Sequence, residues 1–125
     1  MRDEIRVGNI VGYDLPMFKG LPFVIHSLYD TGVVLRKIKH EKNERMINCH
    51  NLAMLPISIS ILRLRKFHFM QIGSQFVMNG CWITPNEDNR FHVKIGLYEQ
   101  TITAVHKLQN IFFKETGLEL ALPEF

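Results

Sequence analysis

Residues 76–84 read FVMNGCWIT, which places the dipeptide Asn79-Gly80 between two runs of apolar residues. Asn-Gly favours a two-residue type I′ turn, because both central residues of that turn have positive φ. The stretch therefore predicts a β-hairpin. Residues 90–95 follow after a polar turn and alternate between apolar and polar side chains, which is typical of a strand with one buried face.

The strongest helix signal follows this hairpin sheet. Apolar residues of the segment 105–112 recur at the spacing of one helix face, and they are Val105, Leu108, Ile111 and Phe112. Thr101 or Thr103 is the predicted N-cap, and Gly117 suits the left-handed residue that ends many helices. This helix is expected to cover the hairpin sheet.

The N-terminal part of the chain predicts short strands. One strand is expected around residues 5–11, and others at 21–28, 33–38 and 45–49. Asp30-Thr31-Gly32 is the predicted turn of a hairpin, with Gly32 supplying a positive φ. Short strands at this spacing favour a small, bent sheet or an SH3-like barrel, which would remove its own exposed edges.

The middle of the chain, residues 58–67, fits two patterns. Isoleucines alternate with Ser58 and Ser60, which is a strand period. Ser58 is also a candidate N-cap after Pro56, and the basic residues that follow would suit the C-terminal end of a helix dipole. The pattern alone slightly favours a strand.

The chain has 125 residues, of which 46% are hydrophobic and 22% charged, as in ordinary globular proteins. We predict a single domain over residues 1–125, with a barrel-like half at 1–55 and a second half at 56–125 that share one core. No apolar run approaches the roughly 20 residues of a membrane span, and no signal-peptide pattern is present. The expected location is the cytoplasm, without a membrane partner, and Cys49 and Cys81 are expected to be reduced, buried thiols.

Three regions of the chain, its start, its middle and its C-terminal part, carry a resemblance to a known family. Residues 105–113 read VHKLQNIFF and are followed by TGLEL at 116–120, while residues 5–9 read IRVGN and residues 55–58 read LPIS. They resemble the segments VHQLQNLYF, TGEEL, LRIGN and IPLT of a family of small uncharacterised proteins encoded in prophages and mobile elements of gut Bacteroidetes. The C-terminal match is the most specific of the three.

The resemblance implies a short helix in the middle of the chain, although Ile59 and Ser60 replace the acidic first turn of the family. It implies no activity, ligand or catalytic residue. The predicted fold class is therefore α+β, with an N-terminal SH3-like β-barrel or bent sheet, a short central helix, and a C-terminal β-hairpin sheet packed by one C-terminal helix.

The sequence offers no recognisable constellation for catalysis or metal binding. Its histidines and cysteines include no pair at the C-x₂-C or H-x₃-H spacing of a zinc site. Neither G-x-S-x-G nor a phosphate-binding glycine motif is present. We predict that the protein is not an enzyme, with no catalytic residue, no metal and no cofactor.

Basic side chains form two clusters in a chain whose net charge is +3. The first lies along a predicted hairpin and the second in the middle of the chain, and together they comprise Arg36, Lys37, Lys39, Lys42, Arg45, Arg63, Arg65 and Lys66. Such a hairpin can follow a phosphate backbone or bind an acidic protein. Glu41 and Glu44 interrupt the first cluster, and edge strands also carry lysine simply to prevent aggregation, so a solvated face stays open.

The preferred functional prediction is a non-enzymatic binding or accessory module of a phage or mobile element, with nucleic acid bound through the basic hairpin. The alternative is a protein–protein interaction or self-assembling module that uses exposed apolar surface or an edge strand. A small enzyme ranks third, and the sequence does not indicate an oligomeric state.

Overall fold

The structure is a computed structural model that describes residues 4–38 and 45–121. Within these ranges the chain forms two antiparallel sheets of five strands each, together with two α-helices. The predicted α+β class is confirmed. In these ranges no helix has both the length and the apolar character needed to cross a membrane.

The first sheet contains the strands of the N-terminal half in the spatial order β4-β3-β2-β1-β5. The strands are β1 (Ile10–Tyr13), β2 (Phe23–Tyr29), β3 (Gly32–Lys37), β4 (Ile47–His50) and β5 (Met54–Pro56).

This sheet is open and does not close into the barrel that the strand spacing suggested. β4 and β5 form its two edges and do not pair with each other in the described ranges. The 3-10 helix Asn51–Ala53 leads the chain from β4 to the far side of the sheet, where β5 pairs with β1. A register shift between Ile25 and Ser27 marks a β-bulge, which bends β2 against β3.

The turn between β2 and β3 forms as predicted, but Gly32 is needed for a different reason. Its φ is not positive. A Cβ at this position would instead lie 2.3 Å from the carbonyl oxygen of Cys49 and 2.6 Å from the hydroxyl of Tyr29. Strands β3 and β4 therefore approach so closely at Gly32 that only glycine fits without a shift of the backbone.

The ambiguous middle segment contains a short helix, α1 (Ile61–Lys66). The cap is Ser60, whose backbone is extended and whose hydroxyl oxygen accepts a hydrogen bond from the Arg63 N–H at 3.1 Å. Ser58, the predicted cap, instead forms an isolated β-bridge with Ala104, so that prediction is wrong. The strand-like alternation at 57–61 thus arises because the backbone is extended before it enters the helix.

The second sheet is a meander of consecutive antiparallel strands, β6 to β10. They are β6 (Met70–Ile72), β7 (Gln75–Met78), β8 (Cys81–Pro85), β9 (Phe91–Ile95) and β10 (Tyr98–Ile102). Asn79 and Gly80 have φ values of 47° and 79°, so the predicted Asn-Gly turn is confirmed.

The edge strands β6 and β10 have no counterpart in the sequence prediction. All of β6 is exposed, and the interior of β10 is the polar run Glu99-Gln100-Thr101. Because an edge strand buries little, its side chains need not alternate, and the period that identifies a strand is lost.

The C-terminal helix, α2 (Val105–Thr116), packs against β1, β9 and β10. Its N-cap is Ala104, which makes no side-chain capping bond, so the predicted cap at Thr101 or Thr103 is wrong. Thr101 is instead part of strand β10. Gly117 ends the helix with a φ of 75°, as the sequence predicts.

The larger apolar cluster contains residues from both halves of the chain. Ile10 and Val24 of the first sheet pack in one cluster with Leu64 and Phe67 of the central segment and with the inner faces of the second sheet and α2. A smaller cluster, which includes Phe23 and other residues of the first sheet, lies on the other side of that sheet. The prediction of one domain remains a prediction, and this shared cluster is the observation in its favour.

Candidate functional site

The basic residues of the first predicted cluster lie at the end of β3 and before β4. Lys39 and Lys42 fall outside the described residues. Arg36 is half-buried, whereas Lys37 and Arg45 are exposed. The guanidinium of Arg36 donates to the carbonyl oxygens of Lys37 at 3.1 Å and Ile38 at 3.4 Å, so this side chain folds back over the end of its own strand.

The end of β3 faces α1, which carries the second cluster. Arg36 is directly opposite Val24 in the β2–β3 ladder, and residues directly opposite each other in antiparallel strands share one face of the sheet. Val24 packs in the same cluster as Leu64 of α1, and Ile38 packs against that cluster too. The fold thus brings Arg36 of the first cluster to the side of the first sheet that faces α1, whereas Lys37, opposite Phe23, lies on the other face.

A surface groove with a volume of about 330 Å³ lies along α1. It is lined by Pro22, Ser60, Leu62, Arg63 and Lys66. Pro22 immediately precedes Phe23, whose partner in the β2–β3 ladder is the residue after Arg36. We call this groove, together with Arg36 at the adjoining strand end, the basic groove.

Arg63 and Lys66 are three positions apart on α1, so they lie on one face of the helix. Arg63 is positioned by a hydrogen bond from its guanidinium to the carbonyl oxygen of Ser58 at 3.0 Å. Arg65 is held on another side of α1, where its guanidinium donates to the side chain of Gln71 at 3.0 Å. Two of the three predicted basic residues of α1 therefore line the groove.

The chemistry of the basic groove suits an anionic partner with an extended surface. Guanidinium and ammonium groups bind phosphate oxygens, and Arg adds a planar array of donors. The described residues that line the groove include no aromatic ring. Contacts to a sugar-phosphate backbone are therefore better supported here than stacking of bases.

The pattern alone does not identify Pro22, Ser60 and Leu62 as groove residues. Their side chains carry no charge, and nothing in the sequence links position 22 to positions 60–66. Only the packing of α1 against the β1–β2 part of the first sheet reveals that they are neighbours.

The distinctive segment of α2 has a structural role. The side-chain oxygen of Gln109 accepts from the Ile10 N–H at 2.7 Å, and its amide donates to the carbonyl oxygen of Gly8 at 3.0 Å. Asn110 accepts from the side chain of Asn9 at 2.8 Å. These bonds join the first turn of the chain to α2 and account for two polar residues inside the helix motif.

His106 is buried beside this network. Its side chain is 2% exposed, and neither ring nitrogen has a hydrogen-bond partner in the described part of the chain. The nearest carboxylate, that of Glu4, lies 3.6 Å from Nε2 and also 3.4 Å from the ammonium of Lys107. Burial lowers the pKa of His106, and the Glu4 carboxylate offsets part of that effect.

The two cysteines are free and buried, as the sequence predicts. Cys49 lies in the smaller cluster and Cys81 in the larger one, so they do not form a disulfide. Burial raises the pKa of both thiols, that of Cys81 to about 12. A thiol in this environment is a poor nucleophile at neutral pH.

Across residues 4–38 and 45–121, no three side chains of His, Cys, Asp or Glu are grouped closely enough to hold a metal ion.

Comparisons of the chain with protein-family models, with curated proteins and with solved structures give no match. The resemblance to the prophage family therefore stays a prediction that rests on the segments quoted above.

Proposed function

We propose that the protein is a non-enzymatic nucleic-acid-binding module, an accessory protein of a phage or mobile element that acts in the cytoplasm. The observation that carries the proposal is the basic groove. Arg63 and Lys66 line it, and the strand end that bears Arg36 lies beside it, although the two segments are far apart in the sequence.

The physical argument is electrostatic. A protein that places lysine and arginine along a phosphate backbone releases condensed counterions, and this term dominates binding that is independent of sequence. The net charge of +3 is modest, so the location of the charges decides the affinity. Leu62 is 62% exposed at the wall of the groove and offers an apolar contact for sugar or base edges.

The test is binding of labelled mixed-sequence DNA and RNA at low and at physiological salt. The test variant neutralises Arg36 and Lys66 together (Arg36→Gln/Lys66→Gln). The matched control neutralises Lys94 and Lys114, which removes the same charge from the outer face of the second sheet and the end of α2 (Lys94→Gln/Lys114→Gln). Unfolding curves check that both variants stay folded.

The proposal predicts that the test variant binds at least about tenfold more weakly than the control variant at the same salt, since each lost phosphate contact removes counterion release. Equal weakening of both variants would mean that net charge alone drives binding. Absence of binding by the wild-type protein at low salt would reject the nucleic-acid function.

A protein-interaction or self-assembling module is the second candidate, and the outer face of the second sheet favours it. Met70, Val77 and Trp82 form one cross-strand row that starts at the edge strand β6. Met70 is 66% exposed and Ile72, on the same edge, 49%. If the protein self-assembles through this edge, light scattering should give a particle mass larger than that of one chain. The variant Met70→Lys/Ile72→Lys should then have the mass of a single chain.

We also propose that the first half is related to SH3-like units in its strand order. The support is that β1 pairs with both β2 and β5, and that the 3-10 helix Asn51–Ala53 precedes β5. An experimental structure in which β5 does not pair with β1 would reject this relation.

A further inference from the structure

A second groove, with a volume of about 480 Å³, lies between α2, the edge strand β10 and the N-terminal segment 4–6. Its lining includes Gln100 of β10, Lys107, Ile111 and Lys114 of α2, and Phe113 at one end. It shares no lining residue with the basic groove. We call it the helix–edge groove.

We propose that the helix–edge groove binds an extended acidic peptide of a partner protein, which adds to β10 as a further antiparallel or parallel strand and places acidic side chains against Lys107 and Lys114. This inference is independent of the nucleic-acid function, because it concerns a different surface.

The backbone of β10 is available for such a strand. In the described residues β10 is an edge that pairs only with β9. The turn Gly96–Leu97 has two residues, and Gly96 has a φ of 58°, which fits a type II′ hairpin. Ile95 and Tyr98 at the ends of that turn then form a hydrogen-bonded pair.

Hydrogen-bonded and non-hydrogen-bonded pairs alternate along an antiparallel ladder. The N–H and C=O groups of Glu99 and Thr101 therefore point away from β9. No other backbone group of the described residues bonds to them. These two residues offer the donors and acceptors that strand addition requires.

The side chains of the groove determine the chemistry of the peptide. Lys107 and Lys114 are seven residues apart on α2, so they lie on one face of the helix with Ile111 between them. Lys107 is 3.4 Å from a carboxylate oxygen of Glu4, whereas Lys114 makes no ion pair with a described carboxylate. The lysines favour acidic side chains on the peptide, and Ile111 provides an apolar floor.

Gln100 adds a neutral donor. Its side-chain oxygen accepts a hydrogen bond from the Tyr98 hydroxyl, which fixes the orientation of the amide and leaves the amide nitrogen available in the groove. Arg6 also lines the groove, but its charge is already neutralised by a bidentate contact with the carboxylate of Glu119. The excess positive charge of the groove is thus contributed by α2.

The experiment uses the full chain and a fluorescein-labelled, acetylated octapeptide of alternating valine and glutamate. Three comparison peptides replace glutamate by lysine, replace glutamate by glutamine, or carry N-methyl groups on alternate amides. Fluorescence anisotropy measures the affinity, and ¹⁵N chemical shifts of the protein locate the bound peptide.

We expect the glutamate peptide to bind and to shift the amide signals of Glu99, Thr101, Ile111 and Lys114. The lysine peptide should not bind. N-methylation should weaken binding about tenfold or more, because it removes ladder hydrogen bonds between the peptide and β10.

Two variants of the protein sharpen the test. Thr101→Pro removes one outward N–H, and proline is tolerated on an edge strand when its nitrogen faces solvent. Lys107→Gln/Lys114→Gln removes the charge. Both variants should weaken binding, whereas Arg36→Gln/Lys66→Gln in the basic groove should leave it unchanged.

Several results would overturn the proposal. They are the absence of binding at millimolar peptide, shifts that map away from β10 and α2, and equal affinity of the N-methylated and unmodified peptides. A dimer that forms without peptide and is abolished by Thr101→Pro would show that a second copy of this chain occupies the edge. The N-methylated peptide tests strand addition on the wild-type protein even if Thr101→Pro does not fold.

Discussion

At the scale of single residues, Gln109 joins α2 to the start of β1 through hydrogen bonds of both its side-chain oxygen and its side-chain nitrogen. It is 2% exposed, and its partners are the N–H of Ile10 and the carbonyl oxygen of Gly8. Helical spacing alone gives no reason for a glutamine at a buried position. The need to satisfy backbone groups of a distant loop explains it.

Gln109→Ala should lower the free energy of unfolding by about 2–4 kcal/mol, because it removes the hydrogen bonds to Ile10 and Gly8 and leaves a buried N–H without a partner. Urea denaturation measures the change. Gln100→Ala, at an exposed position of β10, is the control and should change stability by less than about 0.5 kcal/mol. Loss of a binding activity without loss of stability in Gln109→Ala would assign this residue to a binding site instead.

His106 makes the stability of the protein depend on pH. Burial lowers its pKa in the folded state, while in the unfolded chain the pKa is about 6.5. The unfolded state therefore binds a proton more readily as the pH falls below about 6.5, and the free energy of unfolding decreases there. The pKa of Glu4 is lowered in the folded state: burial raises it, but the charge of Lys107 and contacts with His106 outweigh that effect, so stability also falls at more acidic pH.

Urea unfolding at pH 7.5 and pH 5.5 should show a lower stability at the acidic value for the wild-type protein. His106→Met, which keeps an apolar side chain of similar size, should reduce this difference. His26→Gln at an exposed position should retain it. An unchanged pH dependence in His106→Met would show that other groups are responsible.

At the scale of secondary-structure elements, sequence patterns identify the strands and helix that bury a face. The Asn79-Gly80 turn and the end of α2 at Gly117 agree with the pattern, because each depends on the local backbone conformation. The edge strands β6 and β10 bury too few side chains to show an alternating pattern. The start of β10 also lies between the stronger sequence patterns of β9 and α2. The pattern predicts Gly32 in the turn, whereas it is the first residue of β3, and glycine is required there by the close approach of Cys49 on a neighbouring strand.

Gly32→Ala should destabilise the protein by about 1–3 kcal/mol, because the added Cβ meets backbone that cannot move without disturbing the β3–β4 pairing. Thermal unfolding measures the change. Gly12→Ala is the matched control, since its Cβ would meet the end of the flexible Ile57 side chain at 3.1 Å. A cost at Gly32 no larger than the cost at Gly12 would contradict the close approach of β3 and β4.

At the scale of the whole molecule, the basic groove arises from the packing of α1 against the first sheet. The sequence predicts each basic cluster separately, because charges close in sequence are visible in the pattern. It does not predict that the clusters adjoin, since neither the face of β3 that carries Arg36 nor the docking of α1 near Val24 is encoded locally. The contribution of Arg36 and Lys66 to one surface is therefore the central claim.

The salt dependence of nucleic-acid binding tests this claim most directly. The slope of the logarithm of the binding constant against the logarithm of the salt concentration reports the number of phosphates neutralised. For Arg36→Gln/Lys66→Gln we predict a slope that is smaller in magnitude by about one to two units than the wild-type slope, with an unchanged slope for Lys94→Gln/Lys114→Gln. The same slope in the wild-type protein and in Arg36→Gln/Lys66→Gln would contradict the claim that these residues contact phosphate.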